Sequence, residues 1–506
     1  MSFNQILKTE NAVLNHENAK AFKMSAEMEL YTAVCASSMQ PKFYESNNEC
    51  VERIAKLVKQ VNPIFVAQLA IYARTVMNLR SVPLLLVVEL ARVHSGDDLV
   101  SRTINKVVLR ADEIMELLMC YQWRNPQPGL KKLNKLSNQI KRGLQLAFNK
   151  FDEYQFAKYD RRELEVKLRD ALFIVHPKAK NEEQQQFFNK IASKSLETPY
   201  TWETELSKLG TQHFESLEAR QNAFRDKWSE LIMSEQLGYM ALLRNLRNIL
   251  NADVNEDILQ IVANRISNPH EVARAKQFPF RYYSAYQELV NCANPNIELI
   301  VDALEKAIQI SAENIPVFGK DEKLMIACDM SASMNIGISK GSKIKLYEVG
   351  CTLAMLLQNC CKNLHYGIFA NKWEPVNFDN KNILSNISLL RNLIGKVGYG
   401  TDGGKPLESL INNKTVYDKV IYFTDCQFWD SQYDGNTFFK LWEDYKSIAP
   451  NAQLYLFDLA GYEHSPIDIT RRDVTIISGW SERIFDILDS IKHIDDSLSQ
   501  IRNIKV

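Results

Sequence analysis

Apolar residues recur three and four positions apart through most of the first 313 residues, the spacing that gives a helix one buried face. The pattern predicts helices over Glu52–Val61, Ile64–Val76, Pro83–His94, Ala111–Tyr121, Lys131–Phe151, Glu163–Val175, Asn181–Ser193, Glu215–Met233, Met240–Leu250, Asn255–Ile266 and Ile297–Ile310. Strand-type alternation is nearly absent there. Pro63, Pro83, Pro177, Pro269 and Pro279 fall near helix starts or breaks, where a missing N–H donor is tolerated. Many amphipathic helices without a strong heptad run imply either one irregular helical domain or a stack of HEAT-like helix pairs, in repeats too degenerate to show a period.

After a connector at Pro316–Glu322 the period changes. Short apolar runs at Lys323–Cys328, His365–Ala370, Lys419–Thr424, Gln453–Leu459 and Val474–Ile477 read as strands, separated by helical patterns at Lys345–Asn363, Pro406–Asn412, Thr437–Ser447 and Ser481–Ile491. Such alternation predicts an α/β, doubly wound parallel sheet, with sites at the carboxyl ends of its strands. The expected organisation is multidomain: an all-α helical-repeat domain over residues 1–315 and an α/β domain over residues 316–506.

Composition changes this picture little. At 506 residues, 46% apolar and 24% charged, the chain has the makeup of globular domains, which excludes collagenous, disordered and disulfide-scaffold classes. Its nine cysteines are odd in number and never spaced CxxC, a usage that suits a reducing compartment. No basic and apolar leader opens the sequence, and the densest apolar run, Val82–Val88, is far shorter than a bilayer span. A soluble, cytoplasmic protein without a membrane partner is therefore expected. Net charge is zero, but residues 121–180 carry 14 basic against 6 acidic side chains. That segment alone is distinctly basic.

The richest chemistry lies in the α/β half. Asp329, Ser331 and Ser333 form D-x-S-x-S at the end of the first strand; Thr401 sits in Gly398-Tyr-Gly-Thr-Asp-Gly-Gly-Lys-Pro; Asp425 follows the strand Val420–Thr424. One carboxylate and two hydroxyls at alternate loop positions, joined by a further hydroxyl and carboxylate from two other strand ends, suit a hard cation such as Mg²⁺. Any one of these residues alone is more simply a cap or a turn residue; three strand-end loops agreeing favour a metal site.

Other chemistries fit poorly. An aspartyl-nucleophile phosphatase wants a second Asp where Ser331 stands, and a P-loop wants Gly and Ser/Thr where the chain has Tyr399 and Pro406. Cys426 with His365 is a weak Cys–His pairing beside the simpler reading of a buried thiol. Neither H-E-x-x-H nor a zinc cysteine cluster occurs. With no assignable base, nucleophile and oxyanion set, the expected function is binding and not catalysis.

Asp329–Met334, Gly400–Asp402 and Thr424–Asp425 together resemble the metal-ion-dependent adhesion site of a von Willebrand factor A domain. In that family the cation keeps one coordination position for an acidic group of a partner. In the helical half, Phe65–Arg74, Leu79–Leu86, Leu109–Ile114, Leu168–Lys178 and Met240–Arg247 are similar to segments of the TROVE module of the Ro (SS-A) autoantigen family. That family joins a ring of HEAT-like helix pairs to an A domain, in the order seen in this chain. Ala19–Ser25 resembles the family's opening segment only faintly and receives no functional assignment.

The basic segment interleaves its cations, Lys150 among them, with Phe148, Tyr154, Phe156 and Tyr159. Such a mixture can hold single strands by phosphate pairing and stacking, or can simply be a solvated helix face over core aromatics. The resemblance favours RNA: Arg169, His176 and Lys178 fall in the stretch through which Ro proteins bind it. Lys141, Arg142, Lys158, Arg161, Arg162, Lys167 and Lys180 complete the candidate set. Where the family commonly has His this chain has Leu168, and where it often has Phe-Ser-Asp this chain has Phe369-Ala-Asn371. The implied function is a Ro-like protein holding small structured noncoding RNA of the Y type on a basic outer surface, with single-stranded 3′ ends of misfolded RNA in the ring's hole. Its setting would be RNA quality control or small ribonucleoprotein assembly, with an exoribonuclease or another protein as a further partner. The competing expectation is a metal-dependent protein-interaction scaffold that binds an acidic partner through the A domain.

Overall fold

The computed structural model describes residues 12–37, 42, 44–126, 136–160, 165–275, 277, 279–313, 322–338, 342–361, 363–378, 382–429, 437–479 and 495–506. The expected helix at Ser481–Ile491 and most of the connector before Glu322 lie outside these residues. Two compact units emerge, and their limits differ from a division at residue 315. Met1–Gln60 clusters with Ala312–Gln500, while Ile501–Val506 joins Val61–Ser311.

The α/β unit is built on a six-stranded sheet. Its strands are β3 (Lys323–Asp329), β4 (Asn363–Phe369), β5 (Trp373–Pro375), β6 (Lys419–Thr424), β7 (Gln453–Asp458) and β9 (Val474–Ser478), in the order β5-β4-β3-β6-β7-β9. All neighbours are parallel except the edge strand β5, which turns back antiparallel on β4. Every residue of β3 after Lys323 is buried, as a parallel strand covered on both faces requires. From β3 the chain winds one way to β4 and β5, then returns to add β6, β7 and β9 on the other side. The carboxyl ends of β3 and β6 therefore flank the topological switch point, where a crevice opens.

The first sixty residues belong to this unit for identifiable reasons. Strands β1 (Ala12–Leu14) and β2 (Lys20–Lys23) form a hairpin, and β2 pairs with β8 (His464–Ser465), so a three-stranded sheet joins the two parts of the sequence. The helix Ala26–Cys35 runs close over Gly461, whose φ is +66° and whose added Cβ would lie 2.4 Å from the Thr32 carbonyl oxygen. Arg53, buried on the helix Asn47–Val58, donates to both carboxylate oxygens of Glu45 at 2.8 and 3.0 Å and to the Gly461 carbonyl at 2.8 Å. Strand alternation over two short three- and four-residue runs is too brief to register against the surrounding polar sequence.

The helical unit follows the periodic expectation with shifted ends and extra elements. Helices at Leu99–Val107, Trp202–Gly210, Pro269–Ala275 and Pro279–Leu289 add to the expected set. The segment 240–250 is two helices meeting at Asn245, whose side chain donates to the Ala241 carbonyl. Of the expected helix Lys131–Phe151, residues 131–135 lie outside the described residues; within the rest, Asn138–Phe148 is followed by a separate Glu153–Tyr159, which Asp152 starts with a capping box. Residues 163 and 164 of the expected helix Glu163–Val175 lie outside the described residues, and the described helix there is Leu168–Val175. Neighbouring helices approach closely where side chains are small: a Cβ on Gly143 would meet Ile104 Cβ at 2.6 Å. The chain's last residues pack into the same unit, with Gln68 Nε2 donating to the Ile504 carbonyl and Arg102 to that of Val506. Among the described residues no helix is long and apolar enough to cross a membrane.

Candidate functional site

Strand β3 delivers Asp329 as its last residue, and the chain then leaves the sheet through a short 3-10 turn, Ala332–Met334. Asp329 Oδ1 accepts the Ser331 N–H at 2.9 Å, which folds the D-x-S-x-S loop back on itself and brings the Ser331 and Ser333 hydroxyls to 3.1 Å. Next to it β6 ends at Thr424, whose hydroxyl donates to Asp329 Oδ2 at 2.7 Å. Asp425 follows and accepts the Gln427 N–H on Oδ1 at 3.0 Å, while its Oδ2 is buried with no hydrogen-bond partner. Cys426 takes positive φ to make this turn, a strained conformation for a residue with a Cβ.

The third loop is tied to the first two through the main chain. Ala332 N–H donates to the Tyr399 carbonyl at 3.0 Å, and Trp429 N–H to that of Thr401 at 2.6 Å. Asn371 organises this loop. Its Oδ1 accepts the N–H groups of Tyr399 and Gly400, each at 2.8 Å, so the amide in place of an acid serves as an architectural acceptor. It lies so close that a Cβ on Gly398, at φ +94°, would fall 2.0 Å from Asn371 Oδ1. Asp402, beside Thr401, faces the next helix: it accepts the Gly404 N–H at 3.1 Å.

Asp329, Ser331, Ser333, Thr401 and Asp425 are thus brought to one crevice, and all are buried. Burial pushes the Asp329 carboxyl up to about 7, with the charge of Asp425 adding to the shift. Asp425 is pushed up to about 6, again chiefly by burial, against the nearby Ser333 hydroxyl and the hydrogen bond from the Gln427 N–H. Two buried acids, three hydroxyls and one unpaired carboxylate oxygen form a hard-oxygen donor set that suits a divalent cation. Among the described residues no cluster of three or more His, Cys, Asp or Glu offers an alternative metal centre. Cys426 and His365 do not form a pair: the Cys426 thiol is buried and pushed upward by that burial, and His365 stacks on Tyr417 at 6.0 Å.

The candidate RNA residues separate into neighbourhoods. Arg161 and Arg162 lie outside the described residues. Gln145 Nε2 donates to the carbonyls of Val175 and His176, so the face of the helix Asn138–Phe148 that carries Lys141, one turn earlier, adjoins exposed His176 and the exposed Lys178 and Lys180 beyond it. Arg142 is exposed on the same helix. His176 ends its helix in the left-handed conformation. Lys167 and Arg169 are exposed near the start of that helix, with Arg169 donating to the Ala192 carbonyl at 2.8 Å and covering the Phe173 ring. Lys158 is elsewhere, lining a cavity of about 390 Å³ with Tyr154, Tyr200, Trp202 and Arg274.

Three positions read differently in the structure. Leu168 is only 1% exposed, so it packs in the core and takes no solvent-facing contact away. Phe148 and Phe156 stack on each other inside the unit and are not a platform for bases. Lys150 spends its ammonium on the carbonyls of Asn105 and Val108 at the end of the helix Leu99–Val107.

A model of the TROVE domain matches residues 11–208 and 193–314, and a model of the Ro60 vWA domain matches residues 323–491. The chain belongs to the Ro family, whose TROVE proteins bind RNA. The crystal structure of the Deinococcus radiodurans Ro (RSR) protein superposes on this Ro-family chain with a TM-score of 0.59, at 17% identity, over 91% of this chain and 99% of that one. Telomerase protein component 1 of Rattus norvegicus is 34% identical over 94 residues and that of Mus musculus 33% over the same length. Those matches span 19% of this chain and only 3% of the relatives.

The residues beside the A-domain crevice that the sequence pattern missed are Asn15, His16 and Gln427. Asn15 and His16 dock on the chain just after Asp425 through Phe428 and Gln427. They belong to no spaced motif and reach the crevice only through the pairing of β2 with β8, a contact between distant parts of the sequence.

Proposed function

We propose that this protein holds small structured noncoding RNA of the Y type on the exposed cations of its helical unit and takes single-stranded 3′ ends of misfolded RNA, in quality control or small ribonucleoprotein assembly. The observation that carries the reading is the gathering of Lys141, His176, Lys178 and Lys180 at the meeting of two helices, within a TROVE domain. Phosphate neutralisation by such cations supplies affinity that falls with salt, while unpaired bases add stacking on exposed aromatics. Telomerase protein component 1, by its name a component of telomerase, shares a segment with this chain and supports an RNA partner. The test is to purify the protein natively, treat half with nuclease and sequence what is protected. A few structured small RNAs, or RNAs with single-stranded 3′ ends, are expected; random background that washes off at moderate salt would overturn the reading.

A second activity is favoured by the unpaired Asp425 Oδ2 in the A-domain crevice. Asp329, Ser331, Ser333, Thr401 and Asp425 would hold Mg²⁺ or another divalent cation, which supplies positive charge for an acidic group of a protein partner, an exoribonuclease among the classes expected. The role is adhesion, with no bond made or broken. Asp329→Ala should abolish cation-dependent capture of an acidic partner and leave RNA affinity unchanged; unchanged capture would exclude it.

A further inference from the structure

The helix Leu217–Met233 has its buried residues, Trp228, Leu231 and Ile232, in its carboxyl half. Toward its amino end the same helix carries a second, open face. Leu217, Arg220, Gln221, Phe224, Arg225 and Trp228 recur at the three- and four-residue steps that stack side chains on one side of a helix. They form one wall of a cavity of about 580 Å³, with Asn248 and Asn251 of the helix Leu246–Asn251 and Leu206 of the helix Trp202–Gly210 on its other sides. At 1.5 Å per residue that wall is about 16 Å long, an elongated shape that suits a peptide segment. Trp228 closes its inner end, and Leu217, 79% exposed, lies at the outer one.

The charge along this groove is positive and incompletely used. The Arg220 guanidinium lies 5.6 Å from the centroid of the Phe224 ring and makes no hydrogen bond or ion pair among the described residues. Arg225 donates to Asn222 Oδ1 at 3.2 Å and to Asp253 Oδ2 at 3.3 Å, both long, while its Nε is buried without a partner. Two guanidinium groups thus face a single carboxylate, Asp253, and the other polar residues named on the walls are neutral amides. A nucleic-acid strand fits this poorly. Phosphate pairing needs a run of cations, the rim carries Asp253, and Leu206 and Leu217 offer aliphatic surface where bases would need rings to stack on.

We propose that this groove docks a protein partner through a short amphipathic helical segment with leucine-like side chains on one face and acidic residues beside them. The aliphatic side chains cover Leu206, Leu217 and Phe224, and a carboxylate takes the open donors of Arg220, whose planar fork matches it with two parallel hydrogen bonds. Charge complementarity selects the occupant: a basic segment would meet two arginines. The groove shares no residue with the proposed RNA surface or with the A-domain crevice, and the inference stands or falls without either of them.

Fluorescence anisotropy on the full chain tests this with a labelled helical peptide that carries leucines three and four apart on one face and glutamates beside them. Two matched peptides replace the glutamates with lysine or the leucines with alanine, and each should bind about tenfold more weakly. Arg220→Glu should weaken the glutamate peptide about tenfold and tighten the lysine peptide, an exchange of preference that a structural role for Arg220 would not produce. Leu217→Ala should weaken the leucine peptides and leave the alanine peptide unchanged. Both side chains are exposed, so the two variants should melt with the wild type. Absence of peptide binding, equal affinity for the glutamate and lysine peptides, or an Arg220→Glu variant without the exchange would overturn the proposal. A labelled oligouridylate should bind wild type and both variants alike; a loss of its affinity in Arg220→Glu, with no peptide bound, would assign the groove to nucleic acid and overturn it as well.

Discussion

Thr424 and Asp329 are the last residues of the two central strands, and the 2.7 Å bond from the Thr424 hydroxyl to Asp329 Oδ2 fixes how the carboxylate faces the crevice. The same hydroxyl accepts the Cys426 N–H at 3.1 Å, so one buried oxygen sets both the acid of the first loop and the turn that carries Asp425. Thr424→Val keeps the shape and removes both bonds. It should cost about 1–3 kcal/mol in urea unfolding, since a buried N–H and a buried carboxylate lose a partner. Divalent-ion affinity should drop as well. A variant as stable as the wild type, with unchanged Mn²⁺ binding, would show that Asp329 is oriented by other contacts.

The raised carboxyls of Asp329 and Asp425 give a pH dependence with a definite sign. Both hold protons in the folded state that the unfolded chain releases, at about 7 and about 6 against an ordinary value of 3.8. Without a cation, their contribution to stability is present at low pH and is lost as pH rises from about 4 to about 7. A divalent cation binds the deprotonated pair, so its effect runs the other way. The rise in melting temperature on adding Mg²⁺ should be clear at about pH 7.5 and nearly absent at about pH 5.5. An increment independent of pH would mean that these carboxylates are not the ligands.

Arg53 joins the N-terminal segment to the A-domain part of its unit. Its guanidinium is buried, shares Glu45 and the Gly461 carbonyl, and lies 3.7 Å from Glu29, whose own carboxyl is raised by burial. Arg53→Ala leaves the buried Glu45 without its bidentate partner and should destabilise this unit by about 3–5 kcal/mol. Limited proteolysis should then cut within residues 12–60 before it cuts the sheet. Cleavage in the reverse order would show that the hairpin and its two helices hold to the sheet without this ion pair.

Much of this site is legible because its donors sit in three local motifs, each at the end of a strand long and apolar enough to be seen. Asp329, Ser331 and Ser333 lie within five residues of one another, and burial of both faces writes β3 and β6 as unbroken apolar runs. Asn15 and His16, which dock on the segment after Asp425, are illegible for the opposite reason. Their loop is polar, its strands are three and four residues long, and β2 meets β8 more than four hundred positions away. Charge misled in the helical half because composition does not say where an ammonium points. Lys150 and Lys178 look alike in the basic segment and both are exposed, yet the Lys150 ammonium is spent on the carbonyls at a helix end.

That difference gives a test of the RNA surface that composition cannot mimic. Lys178→Glu with Lys180→Glu removes two exposed cations beyond His176, where helix caps and the core are untouched. RNA affinity should fall, and the slope of log K against log salt should flatten by about 0.7 for each single-strand phosphate that is no longer neutralised. The fall should be similar across unrelated sequences, because pairing with the phosphate backbone carries no base information. Lys150→Gln removes the same kind of charge from the same segment but leaves two helix-end carbonyls without their donor. It should lower stability by about 1 kcal/mol and leave the salt slope unchanged. Equal effects of both variants on the salt slope would place the RNA along the whole basic segment, and no effect of Lys178→Glu with Lys180→Glu would move it off this face of the helical unit.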